Sequence, residues 1–158
     1  MKKIYIGCDN AGMGLKKAIV VFLKAEGVAF EDVGVDSDQD LTMYPLVAEL
    51  VAQKIIASAD QAEGILICGT GIGMAIAANK FPGIYAAVCH DVYSAERARL
   101  SNNTNVMTLG ARVIGAELAI RLVKEWLQLV FIPGSSSPKL EEIKDLEKRN
   151  FAQRLPTE

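Results

Sequence analysis

The chain has 158 residues, 51% hydrophobic and 23% charged, which fits one globular domain over residues 1–158 and excludes a disordered tail. A net charge of −2 lacks the basic excess that nucleic acid requires. Every apolar run is interrupted before it could span a bilayer, and the first residues do not resemble a signal peptide, so we expect a cytoplasmic protein with no nucleic-acid or membrane partner.

Five short apolar runs alternate with segments of helical period along the chain. This alternation predicts βαβ units around a parallel sheet. The predicted strands are residues 4–7, 29–33, 64–68, 85–89 and 106–109. The predicted helices are residues 15–26, 46–57, 74–80, 93–100 and about 116–129, with Gly27 and Gly83 as helix stops.

A last helix is predicted at about residues 139–151, after a segment rich in Pro, Gly and Ser. Leu140, Ile143 and Leu146 give it one apolar face, and five positive and five negative charges balance between Lys139 and Glu158. The simplest interpretation is a helix with a solvated outer face. The more specific one, which we adopt, is a helix that packs on a partner subunit.

Polar and glycine-rich segments follow the predicted strands, at the sheet edge where parallel α/β proteins bind ligands. The segment 68–73, Cys-Gly-Thr-Gly-Ile-Gly, is the most informative, because its alternate glycines let backbone amides approach an anion at the start of a helix. A tight structural turn is the alternative. Neither nucleotide-binding glycine pattern occurs in its expected place, so a dinucleotide-binding oxidoreductase is disfavoured.

The three cysteines have different expected roles. Cys68 lies directly before the glycine turn, where a helix N-terminus favours a thiolate that can act as a base or nucleophile. Cys8 and Cys89 are expected to be small buried core residues. No Cys-x-x-Cys pair is present and His90 is the only histidine, so we expect no zinc or iron–sulfur site.

The segment 64–73, followed by Ala-Ala-Asn-Lys-Phe-Pro-Gly at 77–83, resembles the family of type B ribose-5-phosphate isomerases and galactose-6-phosphate isomerases. Further matches at residues 7–9, 44–45, 93–95, 102–106 and 110–115 extend the resemblance over nearly the whole chain. It implies a Rossmann-like α/β/α three-layer sandwich with a five-stranded parallel sheet. It also implies homodimers or tetramers with shared active sites, a sugar-phosphate substrate, and neither metal nor organic cofactor.

The resemblance implies an aldose–ketose isomerase that works through a cis-enediolate. Cys68 is then the base, and Thr70 helps to move the proton between the two oxygens. The substrate-binding candidates are sugar-hydroxyl ligands (Asp9, Asn10, Tyr44, Asn102), the glycine turn with its anion-binding amides (Gly69, Gly71, Ile72, Gly73, Met74), the phosphate ligands Arg112 and Lys139, and His90 and Ser101.

The chain departs from the family pattern at four positions. Asn10 and Ser101 stand where pentose-phosphate isomerases of this type have histidines, and the second of those histidines opens the furanose ring. Ser135 and Lys139 stand where the family has two phosphate-binding arginines, so Arg149 is a further candidate phosphate ligand. Lysine keeps the charge but lacks the bidentate guanidinium.

One substrate class explains the missing ring-opening histidine. A tetrose 4-phosphate cannot form a furanose, because the oxygen that would close the ring carries the phosphate. Segments 90–97, 100–103 and 110–117 resemble the erythritol-pathway branch, which interconverts D-erythrulose 4-phosphate and D-erythrose 4-phosphate. The alternatives are the ribose 5-phosphate/ribulose 5-phosphate reaction, with His90 or water replacing the histidine, and a non-catalytic sugar-phosphate-binding protein.

Overall fold

The computed structural model describes residues 2–59 and 61–152, in which strands and helices alternate. The strands are β1 (Lys3–Cys8), β2 (Phe30–Asp32), β3 (Ala62–Cys68), β4 (Ala86–Val88) and β5 (Val106–Gly110). The helices are α1 (Met13–Ala25), α2 (Tyr44–Ala57), α3 (Ile72–Ala78), α4 (Val92–Leu100), α5 (Ala116–Gln128) and α6 (Ser137–Ala152), and a 3₁₀ turn at Asn10–Gly12 precedes α1.

The strands form one parallel sheet in the order β2-β1-β3-β5-β4. Successive side chains of β3 point to opposite faces. Ile65 and Ile67 pack with α1, α4 and α5 on one face, whereas Leu66 and Cys68 pack with α2 and α3 on the other. Because helices cover both faces, β3 and β5 are buried along their whole length. The predicted three-layer α/β/α sandwich with a five-stranded parallel sheet is therefore confirmed.

The predicted elements are all present, and their ends differ from the prediction by two residues or fewer. Gly27 directly follows the C-cap of α1 and has a left-handed φ of +66°, so its predicted role as a helix stop is confirmed. The predicted stop at Gly83 is wrong, because α3 already ends at Ala78 with Asn79 as its C-cap, and Gly83, with a φ of +81°, lies in the turn that follows. Within the described ranges, no helix is both long and apolar enough to cross a bilayer. Arg154 and Glu158, which enter the charge balance of the C-terminal segment, lie outside the described residues.

The carboxyl-terminal ends of the strands form one edge of the sheet and the amino-terminal ends form the opposite edge. In the register of β3 with β5, Cys68 pairs with Gly110 at the carboxyl-terminal edge, and Gly64 pairs with Val106 near the amino-terminal edge. A parallel strand rises about 3.3 Å per residue, so Gly64 lies roughly 13 Å from Cys68. Helix α4 starts after β4 at the carboxyl-terminal edge and returns the chain to the amino-terminal edge, where the Asn105 carbonyl accepts the Gly64 amide at 2.8 Å.

Candidate active site

An open groove of about 560 Å³ surrounds Cys68 at the carboxyl-terminal edge of the sheet. The turn after β1, the start of α2, the β3–α3 loop and the loop after β5 form its walls. The groove is lined by Asp9, Asn10, Ala11, Tyr44, Cys68, Gly69, Thr70, Ile72, Gly73, Ile76 and Arg112. It therefore brings together nine of the predicted site residues, and it adds Ala11 and Ile76, which carry no chemical signal in the sequence.

The Cys68 thiol is buried at the end of β3 and has a backbone donor. Its Sγ atom accepts a hydrogen bond from the Gly71 amide at 3.1 Å. Gly71 has a left-handed φ of +77°, and a Cβ atom there would lie only 3.0 Å from the Leu109 backbone. A glycine at this position thus lets the chain turn back so that its amide reaches the sulfur.

The other two cysteines have a different environment. Burial raises the pKa of both Cys8 and Cys89 to about 12, so each remains a neutral thiol. Both lie in the core on the face covered by α1, α4 and α5, and neither lines the groove. Their environment agrees with the expected packing role.

The four amides of the predicted anion site do not have equal hydrogen-bonding capacity. The Gly71 amide donates to Cys68 Sγ, and the Ile72 amide donates to Thr70 Oγ1 at 3.3 Å. The Gly73 and Met74 amides belong to the first turn of α3, where helix geometry provides no intrahelical acceptor. These two amides are therefore the better candidates to bind an oxyanion, and Met74 contributes only its backbone because its side chain is buried.

Tyr44, at the start of α2, covers the beginning of α3. A Cβ atom on Gly73 would lie 2.6 Å from the Tyr44 ring, so the ring packs directly against the glycine. Only glycine permits this contact without moving the ring. The phenol is 40% exposed and lines the groove, which leaves it accessible to a ligand.

Asp9 and Arg112 are placed by backbone contacts on opposite sides of Cys68. Asp9 Oδ1 accepts the Gly12 amide at 3.1 Å, which fixes the carboxylate at the 3₁₀ turn. The Ala111 amide donates to the Cys68 carbonyl at 2.8 Å, and the Arg112 amide donates to the Gly69 carbonyl at 2.9 Å. These two bonds join the loops after β3 and β5, so the exposed Arg112 guanidinium lies across Gly69 beside the groove.

His90 lies at the same edge of the sheet, but it does not line the groove. Its Nε2 atom accepts the Gly110 amide at 2.9 Å, so the ring is engaged by the backbone at the end of β5. Burial lowers the pKa of His90, and the nearby Asp91 carboxylate opposes this shift. The geometry favours a neutral ring that positions the β5 terminus.

The stability of the protein is expected to depend on the protonation of His90. The depressed pKa means that the contribution of His90 to stability is complete above pH 6.5 and is lost as the pH falls through the folded-state value. Protonation turns the Nε2 acceptor into a donor and breaks the bond to Gly110. As the chain has one histidine, its imidazole NMR signal can be titrated directly, and the midpoint should lie below 6.5. A midpoint at or above 6.5 would contradict this prediction, and His90→Phe should remove this component of the pH dependence.

Three of the predicted site residues lie away from Cys68. Ser101 and Asn102 follow α4 at the amino-terminal edge, and Lys139 lies in α6. Asn102 lines a separate cavity of about 280 Å³, whose other wall includes Leu140 and Ile143 of α6. The described chain thus presents two groups of candidate residues, one around Cys68 and one around Asn102, at different edges of the sheet.

Arg99 anchors the turn that carries Ser101 and Asn102. Its buried guanidinium donates to Glu63 Oε1 and to the Thr104 carbonyl, both at 2.6 Å, and it stacks 4.6 Å from the centroid of the Trp126 ring. A further bond to the Leu129 carbonyl, at 3.3 Å, ties the end of α4 to the segment after α5. This role of Arg99 has no signal in the sequence, because an arginine in a charged helix is expected at the surface.

Helix α6 is attached to its own chain near the second group. Glu147 accepts the Gly83 amide at 3.0 Å and the Tyr85 hydroxyl at 3.2 Å. Ile143 and Leu146 nevertheless remain 45% exposed. The helix therefore has one attached side and one apolar side that the chain itself covers only partly.

Within residues 2–59 and 61–152, no group of three or more His, Cys, Asp or Glu side chains is placed so that it could hold a metal ion. The polar groups that face the groove are instead one thiol, backbone amides, hydroxyls, a carboxylate and a guanidinium. Groups of this kind suit an anionic, polyhydroxylated ligand.

The sequence model of the Ribose/Galactose Isomerase family matches residues 4–143 of the chain. The chain belongs to the ribose/galactose isomerase family. Ribose-5-P isomerase B of Listeria innocua is 47% identical, and the match covers 94% of this chain and 99% of the relative. D-erythrulose-4-phosphate isomerase 2 of Mycolicibacterium smegmatis is 52% identical, with 85% and 90% covered.

A solved structure agrees with this assignment to the ribose/galactose isomerase family. Ribose-5-phosphate isomerase B of Clostridium thermocellum superposes with a TM-score of 0.89 at 40% identity, covering 94% of this chain and 99% of that one. The protein is thus a sugar-phosphate isomerase, and a non-catalytic binding protein and a dinucleotide-dependent oxidoreductase are both disfavoured. The relatives act on sugars of two different lengths at comparable identity, so the identities alone do not select the substrate.

Proposed function

We propose that the protein interconverts D-erythrulose 4-phosphate and D-erythrose 4-phosphate through a cis-enediolate, with Cys68 as the base. The observation that carries the mechanism is the 3.1 Å contact between Cys68 Sγ and the Gly71 amide, inside a groove that also presents Arg112. A positioned N–H donor stabilises a thiolate more than a thiol, and the thiolate is the form that can accept a proton from carbon.

In the proposed reaction, the Cys68 thiolate removes a proton from C1 of the ketose. The electrons of the C–H bond form the C1–C2 double bond, and negative charge moves to the oxygen on C2. The same thiol then returns the proton to C2, which yields the aldose. The Gly73 and Met74 amides stabilise the oxyanion, while the Thr70 hydroxyl moves a proton between the two oxygens.

The remaining candidates in the groove bind the rest of the sugar phosphate. Asp9, Asn10 and Tyr44 supply carboxylate, amide and phenol groups for the sugar hydroxyls, and the Arg112 guanidinium supplies positive charge for the phosphate. His90 is proposed to act through the β5 terminus instead of contacting the substrate, since its Nε2 atom is bonded to Gly110.

The proposed site is completed by a second copy of the chain. Ser101, Asn102 and Lys139 can share a site with Cys68 only if another subunit supplies them, because they lie toward the other edge of the sheet. The apolar surface beside the Cys68 groove supports this arrangement, since Ile72 is 55% exposed and Ile76 is 59% exposed. We propose a homodimer, alone or as half of a tetramer, in which α6 packs on the partner through Ile143 and Leu146.

The environment of Ser101 supports a substrate that needs no ring opening. Its Oγ atom accepts a hydrogen bond from Arg97 Nη1 at 3.2 Å, and a guanidinium cannot act as the base that would activate the hydroxyl. A tetrose 4-phosphate cannot form a furanose, so its isomerisation requires no base for ring opening. Ribose 5-phosphate remains the second candidate because the Listeria innocua relative is named for that activity.

The substrate proposal is tested by comparing kcat/KM for D-erythrulose 4-phosphate and ribose 5-phosphate. We expect the tetrose to be preferred by at least about 10-fold, since a missing acid–base group typically costs 10²- to 10⁴-fold on the substrate that needs it. The variant Ser101→His should raise kcat/KM only for ribose 5-phosphate. A strong preference of the unmodified enzyme for ribose 5-phosphate would refute the tetrose proposal.

A further inference from the structure

Three side chains at successive intervals of four residues form a stripe on α4 and its C-cap: Tyr93, Arg97 and Ser101. Side chains at this spacing share one face of a helix. The Arg97 guanidinium carbon lies 6.0 Å from the centroid of the Tyr93 ring, and Arg97 Nη1 donates to Ser101 Oγ at 3.2 Å. The Arg97 side chain is 38% exposed, so the guanidinium is positioned by its neighbours yet remains accessible.

Arg97 differs from the nearby Arg99 in how its donors are used. Arg99 is buried, and its guanidinium donates to Glu63 and to two backbone carbonyls. These bonds indicate a structural role for Arg99. Arg97 Nη2 donates to Glu96 at 2.6 Å, and its buried Nε atom has no hydrogen-bond partner within the described part of the chain. Each Nη atom carries two N–H groups and uses one of them, for Ser101 or for Glu96, so the two Nη atoms retain one donor each for a further acceptor.

The chemistry of the proposed substrate identifies that acceptor. A ring-opening group at position 101 would act on the oxygen of C4, which closes the furanose of a pentose phosphate. In a tetrose 4-phosphate the same oxygen carries the phosphoryl group. In the shared site proposed above, the side chains around Ser101 would therefore face the phosphate of the tetrose, at the place where a pentose phosphate presents its ring oxygen.

We propose that Arg97, together with the Ser101 hydroxyl, binds the phosphate of the four-carbon substrate in the partner's Cys68 groove. This inference rests on the proposed function. A guanidinium offers parallel N–H donors that match phosphate oxygens, and Ser101 adds a hydroxyl donor on the same face. Glu96 reduces the local positive charge but engages only one of the two Nη atoms, so it orients the guanidinium without blocking it.

The proposal also accounts for the two phosphate-binding arginines of the family pattern that this chain lacks. Their positions hold the neutral Ser135 and the exposed Lys139. The phosphate of a tetrose lies one carbon closer to C1 than that of a pentose. We expect Arg97, a cation on α4 near Ser101 and Asn102, to reach a phosphate in this closer position. Phosphate recognition therefore moves from the C-terminal segment toward α4.

The test is a steady-state comparison of the full-length wild type with Arg97→Leu and Arg97→Lys. Arg97→Leu should raise KM for D-erythrulose 4-phosphate, and Ki for inorganic phosphate as a competitive inhibitor, by about 10- to 100-fold with little change in kcat. Arg97→Lys keeps the positive charge but loses the paired N–H donors of the guanidinium, so its KM and Ki should lie between those of wild type and Arg97→Leu. Arg121→Leu, on the exposed face of α5, removes the same charge elsewhere and serves as the matched control.

KM and Ki values within twofold of wild type in Arg97→Leu would overturn the proposal. So would a fall in kcat alone, since that result indicates a structural role, and so would an equal effect of Arg121→Leu, which indicates general electrostatics. The phosphate Ki needs no particular sugar. A wild type that prefers ribose 5-phosphate would therefore refute the tetrose substrate while the Ki values still report on Arg97.

Discussion

Replacing Cys68 with alanine is expected to lower kcat on D-erythrulose 4-phosphate by about 10²- to 10⁴-fold, the usual range for loss of a positioned acid–base group. The substrate should still bind, because the hydroxyl and phosphate ligands remain in place. Isothermal titration of the variant with substrate, beside a coupled assay of turnover, separates these two effects. Cys68→Ser should also be nearly inactive, since a hydroxyl is a much weaker carbon base than a thiolate at neutral pH.

Cys89→Ala is the matched control for this experiment. It removes a buried thiol from another strand end, with a pKa raised to about 12, so turnover should stay near that of wild type at a temperature where the variant is folded. Near-wild-type turnover of Cys68→Ala would place the base elsewhere and would refute the mechanism. Equal losses in both variants would indicate that a thiol in the core is needed for folding, and not specifically for catalysis.

Mixing two inactive variants is expected to restore activity. Cys68→Ala removes the base, and Asn102→Ala removes a sugar ligand that the partner supplies in the proposed site. After unfolding and refolding together at equal amounts, half of the dimers should be hybrids, and each hybrid has one site with both residues intact. The mixture should then recover about a quarter of the wild-type activity, as random pairing of a two-fold dimer requires.

The control mixture combines Cys68→Ala with the double variant Cys68→Ala/Asn102→Ala. No site in this mixture contains the base, so no activity should return. Activity of the first mixture that stays at the mean of its two components would show that each subunit has its own complete site. Size-exclusion chromatography with light scattering, performed on the same samples, distinguishes that result from a failure of the variants to associate.

The fold could be predicted from the sequence because its signals are local. Apolar runs such as the one ending at Cys68 are bounded by glycines and alternate with helical periods, and each element appears close to where these patterns place it. The groove could also be predicted in large part. Parallel strands bring their carboxyl-terminal ends to one edge, so the segments beginning at Asp9, Cys68 and Gly110 had to converge.

The remaining features depend on contacts between distant parts of the chain. The sequence gives no sign that the Gly71 amide turns back to the Cys68 sulfur, because that contact depends on a left-handed glycine packed against Leu109. Nor does it separate Arg97 from Arg99, two arginines in one helix. Burial against Trp126 and Glu63 makes Arg99 structural, and only the folded chain provides those neighbours.

The distance between the two edges of the sheet has an evolutionary consequence for the proposed dimer. The proposed base, Cys68, and the amides beside it lie at one edge, whereas Arg97, Ser101 and Asn102 lie on or after a helix that leads to the other. A substitution in the second group reaches the thiol only across the interface with the partner. Substitutions in the second group can therefore change which sugar length binds without altering proton transfer at Cys68. The same catalytic centre can then be kept in relatives that act on different sugars.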